Sequence, residues 1–83
     1  MITYFVVQSF SVGKKGVVIP DLPAQAPSKD QAMKTAERLS HTKKAVIAFS
    51  RTGDSQTGDY EPAVVLCVFG EVPEEAEEAL AAA

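Results

Sequence analysis

Apolar and polar side chains alternate at the start of the chain. Ile2, Tyr4, Val6, Phe10 and Val12 share one face of an extended segment, interrupted by Gln8; Thr3, Phe5, Val7, Ser9 and Ser11 share the other. Successive strand residues point to opposite sides, so the pattern predicts a first strand over residues 2–12. Gly13-Lys14-Lys15-Gly16 reads as a turn, since glycine adopts positive φ at little cost. A short second strand follows over residues 17–19, and Pro20 ends it, which suits a sheet edge. Two further runs, AVIAF at 45–49 and AVVLCVF at 63–69, are apolar on both faces. They predict a third and a fourth strand, the last with Pro62 at its start and Gly70 at its end.

Between strands two and three the period changes. Ala32, Met33, Ala36 and Leu39 lie at i, i+1, i+4 and i+7, one stripe of a 3.6-residue helix. Ser28 is a preferred N-cap and Gln31 stands three residues on, the spacing of a capping box. Pro27 disfavours an earlier helical start. Asp30 lies towards the positive end of the helix dipole and Arg38 towards the negative end. The spacing predicts a helix over residues 29–40, with Asp30 and Lys34 at a favourable i, i+4 separation. Residues 21–27, rich in proline, read as a stiff connection. Residues 51–61 read as polar turns around the repeated Thr-Gly-Asp of 52–54 and 57–59.

The order strand-strand-helix-strand-strand-helix predicts a single α+β domain over residues 1–83, a four-stranded, mostly antiparallel sheet with one central helix packed on one face. The helix crosses over between strands two and three, giving the spatial order 2-1-3-4, with 2-1-4-3 the alternative. Residues 73–83 form a short acidic C-terminal helix or a frayed tail, with Pro73 at its first position. One helix covers one face, yet the strands are apolar on both. Phe5, Val7, Val46, Val65 and Phe69 are therefore the candidate interface of a homodimer. The alternative is that the C-terminal helix folds back over that face.

Charge is strongly partitioned. Residues 1–53 hold all eight basic residues and three acids; residues 54–83 hold eight acids and no base, for a net charge of −3. Such a layout can mark a nucleic-acid face with an acidic tail; solvated helix faces whose opposite signs fall near each other are the preferred account, and the expectation is that no nucleic acid is bound. A single cysteine allows no intrachain disulfide and no cysteine-built zinc site. No basic, apolar leader opens the sequence and no apolar run approaches the roughly 20 residues that span a bilayer. The expected setting is cytoplasmic, with no membrane association.

Candidate chemistry is sparse. Cys67 lies between Leu66 and Val68 in an apolar strand, whereas a reactive thiol needs an electropositive, partly exposed setting. His41 falls at the expected helix C-terminus and lacks an orienting partner for base catalysis. The Gly-Lys-Lys-Gly turn lacks the phosphate-loop pattern and precedes a strand, and the Gly-Asp pairs do not match a calcium loop. Ser50 and Arg51, at the end of strand three, are the candidate anion or loop site. No catalytic, metal-binding or cofactor-binding residues are expected, and no cofactor.

Two family resemblances follow from particular segments. GVVIPDLP, AERL, AVIAFSRTGDSQTGDYEP and VFGEVPEE resemble a family of short uncharacterised alphaproteobacterial proteins, across nearly the whole chain. Residues 4–39 are similar to HicB-type antitoxins: a strand, a turn, a strand ending in Pro20-Asp21-Leu22-Pro23, then a helix. That family's helix opens like T-x-E-E-A-x-x-N-A, and here Ser28-Lys29-Asp30-Gln31-Ala32-Met33-Lys34-Thr35-Ala36 holds the same spacing. Ala24 stands where that family has glycine, the connection before Ser28 is shorter, and an acidic segment follows in place of a DNA-binding module. The second resemblance implies a toxin-binding or nucleic-acid-linked regulator. The residues themselves point to a small non-catalytic interaction module that self-associates, with itself or another protein as partner.

Overall fold

The computed structural model describes residues 1–54 and 56–74. Among them are six strands and one α-helix: β1 (Ile2–Val12), β2 (Val18–Pro20), β3 (Ala24–Ala26), α1 (Lys29–Ser40), β4 (Ala45–Asp54), β5 (Asp59–Tyr60) and β6 (Val64–Gly70). The expected second helix, over 73–83, lies outside the described residues but for its first two positions.

The fold is α+β with a single antiparallel sheet, and it has six strands where four were expected. The extra two share lanes with strands already foreseen. On one side of β1, β2 pairs with Phe10–Val12 and β3 with Phe5–Val7. On the far side of β4, β6 pairs with the stretch from Ala45 to Ser50 and β5 with Gly53 and Asp54. Six strands thus occupy four lanes, in the order expected for the four. At the centre β1 and β4 run antiparallel through nine register pairs, from Ile2↔Gly53 to Phe10↔Ala45. The segment read as a stiff connection contains β3, and much of the segment read as turns is the second half of β4 and β5.

The turn after β1 differs in detail from the expectation. The left-handed residues are Lys15 (φ 60°) and Gly16 (φ 75°), with Gly13 extended.

Helix α1 begins and ends where its sequence says. Ser28 is extended (φ −152°, ψ 166°), and its hydroxyl accepts the Gln31 backbone N–H at 3.2 Å. That satisfies one of the amide donors a helix start leaves unpaired. At the other end the His41 N–H returns to the carbonyls of Arg38 and Leu39. Ala32 and Ala36 are completely buried and Leu39 is half-buried. Met33 is 37% exposed, so the helix is rotated away from the side on which Met33 was expected to pack. Two alanines at i and i+4 on one face let the backbone of α1 settle onto Val7, Val46 and Ala48. Asp30 and Lys34 form no salt bridge; the one ion pair among the described residues is Lys43–Asp21.

The core therefore has two parts. Under α1, Val7, Ala32, Ala36, Val46 and Ala48 are buried, with Phe5, Ala26, Leu39, Leu66, Cys67 and Phe69 packed around them. On the other face Phe10, Ala45 and Ile47 are buried, with Val18 and Val72 against them. Burying a side chain such as Val46 or Ile47 contributes about 1.5–3 kcal/mol.

A candidate cleft and a polar clamp on the sheet

Most of the candidate interface belongs to the protein's own interior. Phe5, Val7, Val46 and Phe69 all lie on the face that α1 covers, with Val7 and Val46 inside the core. Only Val65 stands out from the sheet, 49% exposed. The physical reason is phase: β1 and β4 are apolar on both sides, and the helix took the side carrying the small Ala48, where two alanines can approach closely.

Ser50 and Arg51 are neighbours in β4 and so point to opposite faces. Ser50, opposite Phe5, faces the α1 side. Arg51, opposite Tyr4, faces the side without α1. There it meets Tyr60 from β5, its guanidinium carbon 6.0 Å from the ring centroid, a cation–π distance. The Tyr4 and Tyr60 rings are 6.5 Å apart and inclined at 43°. Tyr4, Val6, Gln25, Arg51 and Tyr60 line an open cleft of about 380 Å³.

Each wall of that cleft has a local cause. Gly53 lies opposite Tyr60, and a Cβ at Gly53 would collide with the Tyr60 ring. Glycine there lets the ring lie across the strand towards Tyr4 and Arg51. Gln25 arrives because β3 pairs with β1 at Val6. Sequence reasoning singled out Arg51 and missed its tyrosines and glutamine. The one available signal was the repeated Gly-Asp turn, which brings Tyr60 back beside Gly53.

A second cluster, also unforeseen, sits at the other end of the α1-covered face. Asp21, in the link between β2 and β3, accepts the Ser9 hydroxyl at 2.9 Å and the Ser11 hydroxyl at 2.9 and 3.0 Å. Its backbone N–H donates to the Ser9 carbonyl at 2.9 Å, and the Gln8 side-chain amide donates to its carbonyl. Lys43 Nζ lies 3.4 Å from the Asp21 carboxylate and donates to Ser11 Oγ at 3.3 Å. The two serine hydroxyls, with a smaller contribution from Lys43, hold the Asp21 carboxyl below its ordinary value of 3.8.

A serine beside a lysine and an aspartate invites a nucleophile reading. The hydrogen bonds oppose it: both hydroxyls donate to Asp21, and Lys43 donates to Asp21 and Ser11, so no group is placed as a base. The cluster is a clamp fastening the β2–β3 link and the segment after α1 onto β1.

His41 is exposed at the end of α1. Cys67 packs at the edge of the core, and burial pushes its thiol above the ordinary value of 9.0, against a smaller opposing effect of its hydrogen bond with the Ala48 backbone. No group of three or more potential metal ligands occurs among the described residues. No described helix is long and apolar enough to cross a membrane. No family model, curated protein or solved structure matches the chain. The fold and its residues carry the functional reading on their own.

Proposed function

We propose that this chain is a small non-catalytic interaction module that works as a homodimer in the cytoplasm. The observation that carries the reading is β6. This seven-residue strand, VVLCVFG, pairs only with β4 among the described residues. Val64, Val65 and Val68 on it are 59%, 49% and 43% exposed. An apolar edge strand offers a row of backbone donors and acceptors to a second strand. Antiparallel pairing of β6 with its own copy about a two-fold axis extends the sheet and sets the valines of the two partners side by side. The interface is thereby shifted from the five residues first singled out to the rim of the sheet, with Val65 common to both. A single cysteine, which allows no intrachain disulfide, suits a reducing compartment.

Sedimentation from about 1 to 100 µM tests it, a range that brackets micromolar self-affinity. The expected result is a dimer that reverts to monomer when Val65 and Val68 are both replaced by lysine. A monomer across the whole range sinks the proposal. A different protein recovered in stoichiometric amount from source-cell lysate would favour the HicB-like regulator instead.

A further inference from the structure

We propose that the cleft between Tyr4, Arg51 and Tyr60 binds a small aromatic carboxylate. Arg51 carries the argument. Its Nε is buried and has no hydrogen-bond partner. Buried polar groups are nearly always paired, and an arginine N–H deprived of both water and an acceptor is costly. Among the described residues no salt bridge reaches Arg51. The sole described ion pair, Lys43–Asp21, lies elsewhere. Asp54 and Asp59 flank Gly53 and Tyr60 in register and so, by strand alternation, point to the α1 side.

The form of the cleft selects the ligand. One guanidinium presents one positive charge and a planar fork, which matches a carboxylate in charge and shape. A phosphate, with nearly two charges, calls for further cations or backbone donors, and the lining residues other than Arg51 are Tyr4, Val6, Gln25 and Tyr60. Two tyrosine rings 6.5 Å apart and inclined at 43° offer an aromatic ligand stacked and edge-on contacts. The Gln25 amide adds a donor and an acceptor at the rim. A volume of about 380 Å³ is at the small-molecule end of ligand sites. A carboxylate seated against Arg51 would give its side chain an acceptor that no described carboxylate supplies. The proposal does not depend on how β6 is paired.

The test is a nitrogen–proton NMR titration of the full chain with phenylacetate, benzoate, acetate, benzamide and phenylphosphate. Saturable shifts are expected for Tyr4, Gln25, Tyr60 and the Arg51 Nε–H, with Kd near or below about 1 mM for the aromatic carboxylates. Acetate and benzamide, each lacking one half of the recognised chemistry, should bind at least about tenfold more weakly. Arg51→Gln should weaken binding by a similar factor, and Arg51→Lys, which keeps the charge and loses the fork, should not restore it. Gln25→Ala, on an exposed strand, gives a second readout should the arginine variants fail to fold; about a threefold weakening is expected. No saturable shift with any aromatic carboxylate, shifts confined to residues outside the cleft, or unchanged affinity in folded Arg51→Gln would overturn the site. Tighter binding of phenylphosphate would overturn the carboxylate assignment.

Discussion

The two faces of this sheet are built from similar residues and come out differently. Under α1 the contact is close because its central residues are small: Ala32 and Ala36 from the helix, Ala48 from β4. On the opposite face the buried cluster is confined to Phe10, Ala45 and Ile47 at one end. At the other end Tyr4, Arg51 and Tyr60 leave an open cleft. The comparison shows two apolar faces with different covers: a helix packed closely on small residues, and a local cluster with Val18 and Val72 against it. It also separates two ends of one surface, a sealed end around Ile47 and an open end lined by Tyr4, Arg51 and Tyr60.

The contrast breaks most readily at Ile47. It is 1% exposed on the face without α1, so Ile47→Ala should destabilise by about 2–5 kcal/mol. Denaturant unfolding measures this, and a loss below about 1 kcal/mol would mean that end of the face is not sealed. A matched pair on the helix sharpens the other side. Ala36→Leu forces volume into a contact with no room and should cost about 1–3 kcal/mol. Met33→Lys, three residues away, should change stability by no more than about 0.5 kcal/mol. Equal effects would contradict the rotation of α1 described here. The smallest effect concerns acid. The Asp21 carboxyl is lowered from 3.8 in the folded state, so its clamp contributes fully above that value. That contribution is lost as the pH falls below 3.8 towards the lowered native value. Acid unfolding of Asp21→Asn should lack this component, and an unchanged pH profile would show that the clamp does not form.

The features legible in the sequence were those fixed by neighbours in the chain. The Ser28 cap, the alanine spacing and Pro27 delimit α1 without reference to the sheet. The extended pattern of residues 2–12 delimits β1, and the two apolar runs locate β4 and β6. What escaped depends on distant partners. Ala24-Gln25-Ala26 has no strand signature; it is extended because Phe5–Val7 pairs with it. Ser50, Arg51 and Thr52 continue β4 because Tyr4, Thr3 and the Thr3–Thr52 hydroxyl contact at 2.9 Å hold them there. The helix stripe holds at Ala32, Ala36 and Leu39 and was read too wide at Met33, which lies about 100° round the helix from Ala32. The cleft was half legible for the same reason. Arg51 could be singled out by position, but Tyr4, Gln25 and Tyr60 reach it from three other strands.

The nine-pair union of β1 with β4 carries a consequence for synthesis. β1 precedes β4 in the chain, and its central partner is complete only when residue 53 has been added. Elongation at about 5–20 residues per second puts roughly one to five seconds between the completion of β3 and that of β4. β2, β3 and Asp21, which ties their link to Ser9 and Ser11, also precede β4, so one edge of β1 has all its partners in the chain before the other. The clamp thus belongs to the part of the chain that is made early, and it shelters one edge of a nascent strand whose other edge is still waiting for its partner.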